Sequence, residues 1–475
     1  MAKFPDLPLY QGMNAPIRLE FDVHDLEVEG DIPDDLDGAF HRVAPDKQFA
    51  PYAELHMPFN GDGMVSLFRI KNGRADLKTR YVKTERLELE READRSLFGG
   101  YRNPFSDDPS VAGKNRGLAN TSTMIHNGTL LAMKEDSAPY ALDPLTLETR
   151  GLYDFEGGLE TNVFTSHPKI DPETGQMIAF AFGARGLLGR ETIYYEIDRE
   201  GRVTHTVEFE VPYYCMLHDF GVTRDYAVFP VIPITSDLER LKAGGSHFAW
   251  DGTRDIHLGV LPRGGEASDI RWFTMPNRFA SHVVNAFNEG TKVHIDVPVA
   301  VGNMFPFFPD ASGAPFDPAR AVSHVTRWTV DMASKDEGFA GEEKLTDFFG
   351  EYPRIDDRYA MNAHRHAWLL GMKQPRPTFA HLDLATGVTK TWTEPGNTSV
   401  QEPCFAPRSA TSPEGDGYIV QLANRNDERR TDLLIYDALH IEEGPLATVK
   451  LPARLRNGYH GAWTPAAQLP NPAPA

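Results

Sequence analysis

The sequence predicts an all-β protein, and three observations support this prediction. The 40 glycines and 36 prolines of the 475-residue chain are spread along it and are not collected in one linker, which favours many short strands over long helices. Short β-branched and aromatic segments lie between them. A turn pattern also recurs at regular intervals, as expected for repeated sheets.

Six segments are predicted as strands because they are β-branched and aromatic, and too short for globular helices. They are residues 130–133, 177–182, 192–197, 226–231, 293–297 and 432–436. Candidate helices are few, and the best of them covers residues 235–242.

The recurring pattern is an apolar residue, then Asp, then a turn that often ends in Gly. Its aspartates are Asp143, Asp171, Asp198, Asp331, Asp383 and Asp437. The first three are 28 and 27 positions apart, and the last three are 52 and 54 positions apart. Periods of about 25 and about 50 residues fit the hairpins and four-stranded blades of a β-propeller. The alternative is ordinary turn chemistry, which any β protein uses.

Composition and charge limit the classes of function. Hydrophobic residues make up 41% and charged residues 24% of the chain, which excludes a disordered, collagen-like or coiled-coil protein. The net charge of −20 argues against binding to nucleic acid or to anionic lipid. Two cysteines, Cys215 and Cys404, fit a reducing compartment. With no secretory signal and no apolar run of about 18 residues, we expect a cytoplasmic protein without a transmembrane segment.

Four of the 17 histidines share a sequence context. His167, His218, His282 and His460 are each flanked by apolar or small residues, with a strand on at least one side. Gaps of 51, 64 and 178 residues exclude a local zinc-finger spacing. The inner strands of a propeller converge on its axis, so that widely spaced ligands can meet there. Spacing alone leaves four core histidines as the alternative. No such context surrounds His24, His56, His205, His364, His366 and His440.

Four further segments resemble motifs of the carotenoid cleavage oxygenases, in the family's order. They are residues 32–38, 58–65, 351–356 and 402–408. The four histidine contexts match the family as well, so the resemblance runs from about residue 29 to the end of the chain. It implies a seven-bladed β-propeller with a cap of loops and short helices over the metal face. We expect residues 1–475 to form one catalytic domain, as a monomer or homodimer.

The resemblance implies one Fe(II) on the propeller axis, held by the four histidines. Glu135, Glu351 and Glu402 match the glutamates that accept hydrogen bonds from the ligand rings, although the sequence does not say which glutamate serves which ring. Solvated surface carboxylates are the alternative. Four neutral imidazoles suit a ferrous ion that keeps coordination positions open for O₂, whereas four ligands would satisfy zinc.

The residues around the expected cavity favour the stilbene-cleaving branch of the family. Lys134 would be costly beside a polyene but useful beside a phenol, because it favours the phenolate. Together with Phe59 and Tyr101, it matches the positions at which lignostilbene and resveratrol cleavers bind a 4-hydroxyphenyl ring. A surface lysine and a packed tyrosine are the alternative. Phe305 and Phe307 are expected to line the entrance, or else to be core or a shallow membrane-contact patch.

The predicted function is that of a non-haem Fe(II) dioxygenase, an oxidoreductase. It would cleave the central C=C bond of a small aromatic alkene, a 4-hydroxystilbene, with O₂ to give two aromatic aldehydes. A cleaver of apocarotenoids or carotenoids on the same scaffold is the nearest alternative. A non-catalytic binding propeller and a calcium- or zinc-dependent hydrolase are more remote, and calcium would require carboxylate ligands.

Overall fold

The computed structural model describes residues 3–52, 54 and 56–470. The chain divides into two compact units. Unit 1 comprises Met1–Glu156, Lys373–Phe379 and Lys390–Ala475, and unit 2 comprises Gly157–Met372 and Ala380–Thr389. Within the described residues, seven sheets have four or more strands. The predicted all-β fold class, a seven-bladed β-propeller, is confirmed, whereas the placement of its cap and the single domain stay predictions.

Sheets 1, 2 and 7 are built from strands of unit 1. Sheet 1 has the strand order Phe21–Val23, Arg74–Tyr81, Gly63–Lys71, Gly38–Pro45, Gly461–Pro465. Sheet 2 has the order Ser122–His126, Thr129–Met133, Tyr140–Leu142, Thr149–Leu152. Sheet 7 has the order Glu27–Gly30, Ala447–Lys450, Arg430–Asp437, Gly417–Arg425, Thr398–Val400, and Cys404–Pro407 also pairs with Gly417–Arg425.

The remaining sheets follow one another along the chain. Sheet 3 contains Lys169–Ile170, Met177–Phe182, Glu191–Ile197 and Val203–Glu210. Sheet 4 contains Gly221–Val222, Tyr226–Val231, Ile256–Pro262 and Arg271–Met275. Sheet 5 contains Phe279–Ala280, Lys292–Ala300, His324–Asp331 and Gly341–Lys344, with Asn285–Glu289 paired to Lys292–Ala300. Sheet 6 contains Gly350–Ile355, His366–Gly371, Thr378–Asp383 and Val388–Thr393, and a two-stranded pair joins Ile234–Thr235 to Ala249–Trp250.

Each of the six predicted strands lies within an observed one, or overlaps it almost completely. Their apolar character follows from their place in the sheets. Every residue of Met177–Phe182 is buried, because both faces of this inner strand are covered. The strand Arg74–Tyr81, second from the edge of sheet 1, instead alternates between buried and more exposed residues, as a strand with one solvated face does.

The recurring aspartates are turn residues between adjacent strands of the sheets. Asp383 shows the geometry, since its Oδ1 accepts from the backbone N–H groups two and three residues later. The turn ends at Gly387, whose φ of 71° lies in the left-handed region that favours glycine. Asp198, Asp331 and Asp383 each connect the last two strands of a sheet, whereas Asp171 connects the first two strands of sheet 3. The spacing of about 50 residues is therefore the blade repeat.

Helices are short. The α-helices are Glu85–Ala93 and Leu238–Lys242, and the 3₁₀-helices are Pro8–Tyr10, Gly12–Asn14, Pro104–Ser106, Pro109–Val111, Ala267–Asp269, Asp357–Tyr359, Ile441–Glu443 and Ala466–Gln468. The predicted helix over 235–242 begins later than expected, because Thr235 is paired in a strand and Asp237 caps the helix through the N–H of Arg240. In the part of the chain that is described, none of these helices has the length and apolarity needed to cross a bilayer.

Candidate metal and substrate site

Three of the predicted ligands lie together in unit 2. His167 precedes the first strand of sheet 3, His218 precedes sheet 4, and His282 follows the short first strand of sheet 5. The Nε2 atoms of His167 and His218 are 3.1 Å apart, and those of His218 and His282 are 3.2 Å apart. Equivalent positions in three consecutive sheets thus direct three imidazoles to one point.

Their spacing fits a common metal ion. Metal–imidazole bonds are about 2.1 Å long, so two nitrogens at right angles on one ion are about 3.0 Å apart. The two Nε2 separations agree with this value. The rings are steeply tilted, with interplanar angles of 78° and 69° for the two closest pairs. This arrangement lets each lone pair reach the centre without ring stacking.

Glu351 fixes the orientation of His282. The Nδ1–H of His282 donates to Glu351 Oε2 over 2.6 Å, which leaves the Nε2 lone pair directed at the other histidines. Glu351 also accepts from the Ser281 hydroxyl and from the Tyr352 backbone N–H, each at 2.6 Å. Burial alone would raise the pKa of Glu351, but the charge and hydrogen bond of His282, with these two donors, lower it below its usual value. The carboxylate is therefore held ionised in the protein interior.

The fourth predicted ligand, His460, lies in unit 1, and a buried glutamate orients its ring as well. Its Nδ1 lies 2.9 Å from Glu402 Oε1, and Glu402 Oε2 accepts from the N–H of Gly461 at 3.0 Å. That His460 shares one site with the three histidines of unit 2 stays a prediction. The imidazole nitrogens of unit 2, at their observed separations, are a donor set that fits a ferrous ion.

Two glutamate–histidine pairings that the sequence left open are now assigned. Glu351 serves His282 and Glu402 serves His460. Glu135 is also buried, at 5% exposure, directly beyond the strand Thr129–Met133. The surface-carboxylate alternative is wrong for all three, since each is buried, and the role of Glu135 stays a prediction.

Sequence reasoning missed Tyr352 and Ser281, which support Glu351. Tyr352 has a left-handed φ of 53°, which is rare for a bulky residue. The register of Gly350–Ile355 shifts between Glu351 and Arg354, and such a bulge re-aims a side chain. The bulge therefore directs the Glu351 carboxylate towards His282 and places the Tyr352 N–H where it donates to that carboxylate. Pro353 is the sequence signal for this irregularity, because proline within a strand is confined to edge strands and bulges.

The predicted phenol-binding residues come together within unit 1. The Phe59 ring lies 5.9 Å from the Tyr101 ring and 5.2 Å from the Tyr459 ring, measured between centroids. Lys134 Nζ lies 5.0 Å from the Tyr101 ring centroid. Because Tyr459 directly precedes His460, this cluster adjoins one of the predicted metal ligands.

Lys134 is buried, so its interpretation as a surface lysine is wrong. Its side chain is 2% exposed, and burial lowers its pKa while Asp136 and Glu135 act in the opposite direction. Its Nζ donates to the Phe59 carbonyl and to Asn120 Oδ1, both at 3.2 Å. An ammonium has three N–H donors. Among the described residues these two contacts are its only hydrogen bonds, which leaves one donor for a ligand.

Phe305 and Phe307 belong to an aromatic cluster of unit 2. Their rings stack at 5.0 Å, and Phe305 also meets Phe279 edge-on at 5.1 Å. Phe279 precedes His282 by three residues in the short strand of sheet 5. Both side chains are half-buried, and their predicted role in lining the cavity stays a prediction.

The fold and the three converging imidazoles of unit 2 define a β-propeller with a candidate metal site built from imidazole nitrogens. The sequence matches the Retinal pigment epithelial membrane protein (RPE65) family over residues 14–465. The chain therefore belongs to this family of carotenoid cleavage oxygenases, which confirms the predicted resemblance and the enzyme class, a dioxygenase.

Individual relatives cover nearly the whole chain. The lignostilbene-α,β-dioxygenase isozyme III of Sphingomonas paucimobilis is 49% identical over 99% of both chains. The isoeugenol monooxygenase of Pseudomonas putida is 44% identical over 96% of this chain and 98% of its own. The crystal structure of the lignostilbene dioxygenase of Pseudomonas brassicacearum superposes with a TM-score of 0.94 and 42% identity, covering 98% of this chain and all of the other.

Proposed function

We propose that this protein cleaves the central C=C bond of 4-hydroxystilbenes with O₂, giving two aromatic aldehydes. Its substrate is a lignostilbene- or resveratrol-like alkene, in keeping with the names of its relatives. The observation that carries the proposal is the buried Lys134, which keeps one hydrogen-bond donor for a ligand beside two aromatic rings. A polyene offers no partner for that charge.

The metal of the proposal is a single Fe(II), and the fit of the donor set to this ion supports it. His167, His218, His282 and His460 hold the ion through one nitrogen each. Glu351 and Glu402 fix two of the rings, and Glu135 serves a third. When bound, the iron supplies the binding and activation of O₂.

The protein residues act on the phenol end of the substrate. Phe59 packs against the hydroxyphenyl ring, and Tyr101 and the remaining N–H of Lys134 bind its oxygen. The ammonium favours the phenolate, so the phenol proton leaves to solvent and electron density moves into the alkene. In the balanced reaction each alkene carbon receives one oxygen atom of O₂ while the C=C bond breaks. Phe305 and Phe307 line the approach to the site.

Replacing Lys134 by Met tests the proposal, because methionine removes the positive charge and has an unbranched side chain of similar length. We expect kcat/KM for 4-hydroxystilbene to fall about 10- to 100-fold, the range for losing one charge-assisted hydrogen bond. The 4-methoxy analogue should be a poor substrate of the unaltered enzyme, and the substitution should not slow it further. Lys83→Met, at an exposed lysine, is the control, and bound iron is measured in every variant.

Two results would reject this assignment. One is equal turnover of the hydroxy and methoxy substrates, which would remove any role for the phenol. The other is faster cleavage of an apocarotenal than of any stilbene, which would favour the apocarotenoid alternative. An isoeugenol-type phenylpropene is a further test substrate, because it carries the same phenol on a shorter alkene.

The remaining proposals concern the assembly. A single catalytic domain, a monomer or homodimer, and a cytoplasmic location complete the hypothesis. The two cysteines Cys215 and Cys404 are both buried, which suits a reducing compartment. Size-exclusion chromatography with light scattering measures the oligomeric state.

A further inference from the structure

Asn120 lies behind Lys134 and contacts both Lys134 and the segment that carries Phe59. We propose that Asn120 is a positioning residue that fixes the Lys134 ammonium and thereby sets the selectivity for a 4-hydroxyphenyl ring. This inference rests on the proposed function, which it refines by naming the group that gives Lys134 its direction.

The amide of Asn120 uses all of its hydrogen-bonding capacity. Its Nδ2 donates to the carbonyls of Phe59 at 2.8 Å and Gly61 at 2.5 Å. Its Oδ1 accepts from Lys134 Nζ at 3.2 Å and from the Thr121 hydroxyl at 3.3 Å. A primary amide has two N–H donors and one oxygen with two lone pairs. The Nδ2 and Oδ1 atoms therefore make all the hydrogen bonds that they can, and they do so in a completely buried side chain.

This bonding gives the amide one orientation. Two carbonyl oxygens face the Nδ2 end, so turning the amide over would set oxygen against oxygen. The Oδ1 end must then face a donor, and Lys134 supplies it. The backbone supports the same placement, because the preceding residue, Ala119, has a left-handed φ of 47° and is fully buried. A strained residue of this kind persists where the surroundings over-determine its conformation.

The consequence for Lys134 is a fixed direction of its third N–H. Two of its three donors are anchored, one on Asn120 and one on the Phe59 carbonyl. The same carbonyl is also held by Asn120. Asn120 thus ties the ammonium and the stacking ring to a single support, and the lysine cannot turn without losing both contacts. Such preorganisation matters because small displacements in an oriented site reduce rates by large factors.

Asn120→Ala is the test, with Asn424→Ala as the matched control. Asn424 is equally buried in the same unit. Its amide makes hydrogen bonds to Asn457 and Thr431 rather than to Lys134. The preference for 4-hydroxy over 4-methoxy stilbene is measured as a ratio of kcat/KM values. We expect Asn120→Ala to reduce this ratio about 10- to 100-fold and Asn424→Ala to leave it unchanged, with iron retained in both.

A binding measurement separates positioning from a general loss of structure. The probe is 4-nitrophenol, which has the phenol and lacks the alkene, added to the iron-loaded protein without oxygen. The unaltered protein should bind it as the coloured phenolate. Asn120→Ala should weaken this binding and shift the bound probe towards the neutral phenol. In a Lys134→Met background the same substitution should have no further effect, because Asn120 acts through Lys134.

The outcomes distinguish this inference from the proposed function. If Asn120→Ala leaves the ratio and the probe spectrum unchanged, or if its effect adds fully to that of Lys134→Met, the inference is overturned while stilbene cleavage stands. If no stilbene is cleaved but phenolate binding depends on both residues, the positioning role stands and the proposed function falls. Asn120→Ser, which keeps one hydroxyl donor, provides the same comparisons should the alanine variant fail to fold.

Discussion

Replacing Glu351 by Gln should weaken iron binding strongly while changing the shape of the side chain very little. In the structure the carboxylate accepts three short hydrogen bonds, from His282 Nδ1, the Ser281 hydroxyl and the Tyr352 N–H. An amide has only one acceptor atom. With its oxygen in the place of Oε2 the amide would still accept from His282 and Tyr352, and its NH₂ group would donate to the Ser281 hydroxyl, so the contacts persist but lose the negative charge.

The size of the effect follows from these contacts. A hydrogen bond to a charged group contributes about 1.5–3 kcal/mol, and one between neutral groups contributes about 0.5–1.5 kcal/mol. Because Glu351 is buried, at 3% exposure, solvent does not compensate for the lost charge. The expected loss of iron affinity is about 10- to 100-fold, the range typical of the groups that orient metal-binding histidines.

Competition with a ferrous chelator under anaerobic conditions measures this affinity. Glu29→Gln provides the control, since Glu29 is an exposed carboxylate in sheet 7. Circular dichroism checks that the variant keeps its sheets. Should Glu351→Gln hold iron as tightly as the unaltered protein, the carboxylate would not orient His282 for metal binding, and the site described here would be wrong in that part.

Two further predictions concern stability. Burial lowers the pKa of His41 to about 4, only partly offset by the bond of its Nε2 to the Pro144 carbonyl. The folded protein therefore binds fewer protons than the unfolded chain between pH 4 and about 6.5, so stability falls as the pH decreases through this window, by about 3 kcal/mol from this group. His41→Gln should flatten that part of the pH profile in urea unfolding, and an unchanged profile would contradict the assignment. Gly63→Ala should destabilise the fold by about 1–3 kcal/mol, because its Cβ would lie 2.3 Å from the Ala119 carbonyl oxygen; an unshifted melting temperature would show that the Ala119 segment moves freely.

The blade repeat could be predicted because it is encoded locally. An Asp side chain that accepts from backbone N–H groups two to four residues later depends only on residues of the same turn. Asp198 and Asp383 therefore mark the outer turns of their sheets in the sequence itself. The inner strands are equally local, since a strand buried on both faces must be apolar along its whole length. These features are visible in one sequence without any knowledge of distant contacts.

The pairings of the site were beyond sequence reasoning because they join distant residues. Glu351 and His282 are 69 positions apart, and Glu402 and His460 are 58 apart. Which carboxylate reaches which ring depends on how consecutive sheets pack and on the bulge at Tyr352. The family resemblance named the participants, and the structure supplied two of the pairings.

The helix Glu85–Ala93 shows a different limit and explains why it matters to the site. Six of its nine residues are Glu or Arg in a pattern without an apolar face, so periodicity does not reveal it. Yet Arg86 and Glu90 are buried. Arg86 donates to the amide of Asn60, next to Phe59, whereas Glu90 accepts the N–H groups of residues 97 and 98, just before Tyr101.

The same amide of Asn60 also donates to the Gly99 carbonyl, at 2.8 Å. The two segments that carry Phe59 and Tyr101 are therefore tied to each other and to one helix through buried charged groups. An apolar helix could bury as much surface, but it could not hold two loops by directional bonds. The helix is thus charged for the reason that made it hard to predict: its polar side chains specify the spacing of the two rings that the proposed substrate would occupy.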